Sequence, residues 1–312
     1  MLSLVSRNIV RIAFWGGLVA AIVVLWLTGV LGDAWDGLRE SRPLPLVLVV
    51  LVGMSLPLVH AWRWQLVMRS LGEQLTLGEA ADITVSSALI NYASPGFVGA
   101  SAKAVLANQT RDVPYRASAL SIGFEHTLDL GMMAVTSLLA ILIIGPSAFR
   151  DIASPLEGLA SFAVLAIAAG VAAIGLFIAW RLGAWTQIKR TFSAAGRLGR
   201  QVNLSAVAAL TLLYWFLQVV VVGLMFWALG IDFNVIDVLA IATVPVLAGM
   251  LAPVPGGVGV REAAIVALSA VTAATTGTLV TLAIVQRVLL VAALPLALGA
   301  LRLARRFSVR MA

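Results

Sequence analysis

Apolar residues run along this 312-residue chain in long blocks, not in the short alternations of a soluble fold. A bilayer core about 30 Å thick needs about 20 apolar residues per helical crossing. Blocks of that length predict full spans at about 9–31, 43–68, 117–144, 158–180, 204–229 and 278–301. Two further apolar stretches, about 80–110 and 238–275, are cut in the middle by proline and glycine. The cuts read "ASPGFVGAS" (93–101) and "APVPGGVGV" (252–260). Each arm is about 15 residues, short for a crossing. Two short arms around a Pro-Gly turn predict a re-entrant hairpin or a broken helix, which membrane depth tolerates only where protein or a watery cavity covers the backbone.

The two cuts resemble each other. Pro95, Gly96, Val98 and Gly99 match Pro255, Gly256, Val258 and Gly259 at an offset of 160, and "VMRSLG" (67–72) lies opposite "MFWALG" (225–230) with a two-residue shift. Residues 46–145 and 204–303 therefore read as two copies of one unit: span, broken hairpin, span. The organisation expected is an N-terminal span and outer loop (1–42), repeat unit one (43–145), a linking span with a basic loop (146–203) and repeat unit two (204–312). The fold class expected is an all-α polytopic membrane protein with about six full spans and two broken hairpins.

Composition sharpens this picture. The chain is 61% hydrophobic and 11% charged, against about 25% charged residues in a soluble domain. Its net charge of +7 does not signal nucleic acid, because the basic residues sort by segment. With the N-terminus inside, fourteen Lys and Arg fall on inner segments, and only Arg39, Arg42 and Arg150 fall outside. By the positive-inside rule both termini are then cytoplasmic. Unit one enters its hairpin from the inside and unit two from the outside, so the units have inverted topology, a transporter architecture. The basic segment 181–203 is an orientation signal and a contact for anionic lipid. Abundant small residues, 27 of them glycine, permit close helix contacts and a homo-oligomer. There is no cysteine and there are two histidines, His60 and His126, so thiol chemistry is excluded and a histidine-rich metal site is not expected. No P-loop, G-x-S-x-G or H-E-x-x-H sequence appears, and neither a cofactor nor enzymatic activity is implied.

Four cations lie at membrane depth: Arg63, Lys103, Arg261 and Arg287. An ionisable residue there costs at least about 2.5 kcal/mol and marks a functional site by default. In "PGGVGVRE" the glycines Gly256, Gly257 and Gly259 after Pro255 let backbone N–H groups approach a ligand. The helix that follows presents its positive end, and Arg261 adds a guanidinium suited to phosphate. Glu262 reads equally as an N-terminal helix residue favoured by the dipole. In the mirror element, after Pro95, Gly96 and Gly99, Lys103 faces the same cavity or snorkels to the interface. "FEHTLD" (124–129) puts Glu125 and Asp129 on one helix face beside His126, as counter-charge for Arg261 or Lys103, a proton relay, or a structural pair. Arg287, beside Gln286, is a further partner. "HAWRWQ" (60–65) reads as an aromatic belt with Arg63 snorkelling to the cytoplasmic side, and Asn91 and Ser94 as caps for backbone freed at the first break.

"PGGVGVREA" (255–263) resembles the second-half signature of the lysylphosphatidylglycerol synthase transmembrane-region family, also called the flippase-like domain family. The family's first-half pattern, a proline turn with G-E-x-x-R and a later E-R-x-x-D, is similar to Gly99–Lys103 and Glu125–Asp129. Ala100, Lys103 and His126 depart from it. The resemblance spans about 10–305 and implies a lipid-translocating domain with paired re-entrant segments in a bacterial inner membrane. It carries over Pro255, Gly256, Gly257, Gly259, Arg261, Glu262, Glu125 and Asp129. The soluble aminoacyl-transferring domain of the full-length synthases has no counterpart here, so no lysyl transfer is expected. The reading is a flippase for an anionic phospholipid, polyprenyl-phosphate or hopanoid-type lipid. The alternatives are a secondary transporter of a small anion and a non-transporting scaffold for envelope lipid metabolism.

Overall fold

The computed structural model describes residues 30–93, 98–151, 203–232, 234–251, 260–269, 272 and 274–311. These residues form helices and no strand: α1 Val30–Glu40, α2 Pro43–Ser70, α3 Leu77–Ala93, α4 Val98–Arg111, α5 Tyr115–Asp151, α6 Leu204–Ala228, α7 Val235–Leu251, α8 Val260–Ser269 and α9 Thr276–Met311. The expected span at 158–180, nearly all of that at 9–31, and both Pro-Gly turns lie outside the described residues. Among the described residues, three helices are long and apolar enough to cross a membrane: residues 43–70, 204–228 and 277–303. This is an all-helical, multi-pass membrane protein.

Its outward faces confirm the solvent. Leu138, Leu139 and Leu142 on α5, Leu212 and Phe216 on α6, and Val288 and Leu296 on α9 are each at least half exposed. A water-soluble bundle would turn such residues inward; only hydrocarbon accepts them in rows. Between the helices lie two main apolar clusters. The larger joins Val49 and Leu56 of α2 to Val221, Val222, Met225 and Phe226 of α6, to α7 and α8, and to Leu279, Leu282 and Val285 of α9. The smaller joins Ala61, Trp64 and Met68 of α2 to Ala80, Ala81 and Ile83 of α3 and Ala107 of α4. Close approach needs small residues: a Cβ on Gly53 of α2 would stand 2.9 Å from Leu290 and 3.1 Å from Ala293 of α9.

The link from span to hairpin is built the same way twice. α2 ends at Leu71 and α6 at Leu229, and Gly72 (φ +88°) and Gly230 (φ +65°) then take the left-handed conformation. Gly72 N–H donates to the Arg69 carbonyl and Glu73 N–H to Met68 (3.0 Å). Gly230 N–H donates to Trp227 and Ile231 N–H to Phe226 (3.0 Å). Both are Schellman closures, which satisfy carbonyls that a helix end leaves open. Each is followed by a capped helix of 17 residues. Thr76 and Glu79 cap α3 reciprocally, Glu79 N–H donating to Thr76 Oγ1 (3.3 Å) and Thr76 N–H to Glu79 Oε2 (2.9 Å). Asn234 caps α7 by accepting from Asp237 N–H (2.8 Å).

The packing between segments is exchanged. α2 lies along α6, α3 packs on α9, and α7 packs on α5. The interrupted segments run 17 and 14 residues for α3 and α4, and 17 and 10 for α7 and α8. At 1.5 Å per residue the longest is about 26 Å, under the hydrocarbon thickness. One expectation is corrected. Residues 32–40, expected in an outer loop after the first span, belong to the helix α1, seated on α9 with Gly37 against Thr281. Arg39 folds its guanidinium over Trp35, 5.1 Å from the ring centre, which suits a short helix at an interface.

The left-handed turns give a direct stability test. Nothing lies within 4 Å of a Cβ at Gly72, Gly230 or Gly131, so only backbone conformation distinguishes them. In thermal unfolding in detergent, Gly72→Ala and Gly230→Ala should each lose roughly 1–2 kcal/mol. Gly131→Ala, inside α5 at ordinary helical φ, should gain about 0.5–1 kcal/mol.

Candidate functional site

Four helices bring their polar side chains to one buried place. α5 supplies Glu125 and Asp129, one turn apart on the face that the i, i+4 spacing predicts. α2 supplies His60 and Arg63, also one turn apart. α4 supplies Lys103, and α6 supplies Thr211, Tyr214 and Trp215. Arg63 is fully buried, Glu125 is 2% exposed and Lys103 5%.

Every guanidinium nitrogen of Arg63 is used. Nη1 and Nη2 donate in parallel to the two carboxylate oxygens of Asp129 (2.7 and 2.8 Å). Nε donates to Glu125 Oε1 (3.2 Å), and Nη1 also reaches Thr211 Oγ1 (3.3 Å). Such a fork is the strongest arrangement a buried carboxylate finds. The Thr211 hydroxyl can accept because its own proton goes to the Val207 carbonyl (2.8 Å). Glu125 takes Lys103 Nζ on its other oxygen (3.1 Å) and has His60 Nε2 3.5 Å from Oε1. Asp129 receives a further bond from Trp215 Nε1 (3.0 Å).

Aromatic rings line the same space. Lys103 Nζ stands 4.3 Å over Trp64, whose Nε1 donates to Ser121 Oγ (3.0 Å). Tyr214 meets Arg63 at 5.8 Å and His60 edge-on at 5.7 Å. Ring faces stabilise a cation where water is scarce. With His60 neutral, two positive side chains face two negative ones, so the cluster carries no net charge.

The structure places the predicted residues unevenly. Lys103, Glu125 and Asp129 come together, and Lys103 does not snorkel. His126 points away: it is exposed, and its Nδ1 donates to Ile122 on its own helix (3.0 Å). Arg261 on α8 and Arg287 on α9 are half-buried; Glu262 and Gly99 are placed as helix backbone. Pro95, Gly96, Pro255, Gly256, Gly257 and Gly259 lie outside the described residues, as do Ser94 and the basic segment 181–202.

The principal correction concerns "HAWRWQ". Arg63 is not at the interface between two tryptophans. Trp62 is 49% exposed, but Arg63 and Trp64 are at 0%. Position along the helix gave no signal: Arg63 lies about 10 Å from the end of α2, which at 28 residues is about 42 Å long and overhangs a core of about 30 Å, so a cation there is within snorkelling reach of the interface. His60, Thr211, Tyr214 and Trp215 were also missed. Each is common on a span, and only the fold shows what it faces.

Taking one partner from a buried ion pair leaves an uncompensated charge, at about 3–5 kcal/mol. Arg63→Met should therefore destabilise the protein by that amount in thermal unfolding. Adding Asp129→Leu should restore at least half, because Lys103 and Glu125 still balance. Equal and additive losses would mean that the two residues are not coupled.

A family model described as the lysylphosphatidylglycerol synthase TM region matches residues 13–299. No curated protein and no solved structure gives a significant match.

Proposed function

The chain belongs to the lysylphosphatidylglycerol synthase TM-region family, a membrane family linked to lipid handling, and on that premise we propose that it is a flippase for an anionic lipid head group. The supporting observation is the buried cluster. A Lys and an Arg at span depth, with aromatic walls, are an expensive arrangement that functional sites retain. In this reading the lipid phosphate takes the place of Glu125 as the partner of Lys103. Arg63 keeps Asp129 and holds α2, α5 and α6 in register. The acyl tails stay in the bilayer, whose apolar contact with the helix faces continues to the edge of the bundle. Arg261 at the start of α8 and Arg287 on α9 add positive potential along the path.

The two units are inverted repeats in this reading. The matching Schellman closures support it, as does the exchange in which α3 packs on α9 and α7 on α5. Two units related by an axis in the membrane plane give that pattern, and rocking of one against the other opens the site to alternate sides. The segregation of basic residues supports cytoplasmic termini, and the resemblance supports a bacterial inner membrane.

One observation favours a second reading. The cluster is already neutral and bonded, as a structural lock in a non-transporting scaffold would be. Translocation of labelled phosphatidylglycerol in proteoliposomes decides between them. Lys103→Met and Glu125→Gln should each slow head-group movement about tenfold or more, equivalent to about 1.4 kcal/mol, while the proteins remain folded. Unchanged rates in both variants, or no movement by the wild type, would sink the flippase reading. Movement of a small anion without lipid would favour a secondary transporter.

A further inference from the structure

We propose that the cluster takes up its anionic head group together with one proton, and that His60 is where the proton sits. The inference rests on the flippase reading and adds the coupling ion to it. It begins from charge. Arg63 and Lys103 balance Glu125 and Asp129, so a phosphate entering the cluster brings one negative charge too many. In a water-poor site an uncompensated charge costs several kcal/mol. Some group must supply a positive charge as the lipid arrives.

His60 is the group placed to do so. It is the one member of the cluster that changes charge readily near neutral pH. Its side chain is 31% exposed while that of Glu125 is 3% exposed, so it links the buried carboxylate to the surroundings. The charged groups that act on it are Glu125 from α5, Lys103 from α4 and Arg63 on its own helix, and the Tyr214 ring from α6 packs against it. Nε2 lies 3.5 Å from Glu125 Oε1, on the opposite oxygen from Lys103.

The geometry gives the step. A proton from the surroundings adds to the bare nitrogen of the neutral imidazole, leaving N–H on both. The imidazolium becomes the counter-ion of Glu125. Lys103, released from Oε2, turns its ammonium to the lipid phosphate. The total charge is zero before and after, and no bond other than N–H forms or breaks. The proton leaves when the head group does. Transport in either direction is then symport of lipid and proton.

The test counts protons. Wild-type protein in phosphatidylcholine nanodiscs is titrated with short-chain phosphatidylglycerol by calorimetry, in two buffers of different ionisation enthalpy. The pH is set where the His60 ring is neutral, read from 13C-histidine spectra in which only two histidines appear. The expected result is uptake of about one proton per head group bound, as charge balance requires. His60→Gln should bind lipid more weakly and take up none; His60→Asn serves if the first variant folds poorly. Binding without proton uptake in the wild type, or uptake that persists in the His60 variants, would overturn the proton proposal and leave the flippase reading standing. Absence of phosphatidylglycerol binding would overturn both for this lipid class.

Discussion

The fork between Arg63 and Asp129 is the contact on which the middle of the bundle depends. It ties α2 to α5, and through Thr211 and Trp215 it ties both to α6. α4 joins by the Lys103–Glu125 pair. In lipid the hydrophobic effect does not press helices together, so packing and interhelical hydrogen bonds set their arrangement. A buried guanidinium with every nitrogen engaged permits few alternative registers. That rigidity need not raise stability, because desolvation offsets much of the attraction. It also fixes Glu125, which accepts from Arg63 Nε and from Lys103 Nζ beside the Trp64 ring.

The positions that the matching turns set opposite each other carry different chemistry. At the offset that matches Gly72 to Gly230, Arg63 corresponds to Val221. At the offset that matches the Pro-Gly turns, Glu125 and Asp129 correspond to Val285 and Leu289. Val221 and Val285 are buried members of the larger apolar cluster, and Leu289 packs on it. At these positions residues 43–145 carry ions and residues 204–303 carry hydrocarbon.

Much of this was legible in the sequence, and the limits have physical causes. Helix class, the places of α2, α6 and α9, and the short interrupted arms follow from run length and Pro-Gly punctuation. The likeness of "SLG" and "ALG" was legible as part of a repeat; that both glycines close a helix in the left-handed conformation, which glycine adopts at no steric cost, is visible only in the fold. Glu125 and Asp129 were identifiable because carboxylates at span depth need partners. The partner itself was not, since Arg63 between two tryptophans has the composition of an interfacial belt, and only its burial in the fold separates the cases. Burial of Trp64 and exposure of Trp62 depend on which face α3 and α4 cover. Residues 32–40 read as a loop because their charges hide a helix that has a neighbour in α9.

The central claim is that Lys103 leaves Glu125 for a lipid phosphate. The chain has two lysines, Lys103 and Lys189, so Lys189→Arg leaves a single lysine to label. Solid-state dipolar recoupling between 15N-lysine and 31P of phosphatidylglycerol, in otherwise phosphate-free glycolipid vesicles, reads that contact directly. The account predicts dephasing from an ammonium within about 4 Å of phosphorus-bound oxygen, the range of an ion pair. A lysine signal that stays coupled to the Glu125 carboxyl and shows no 31P contact would contradict it.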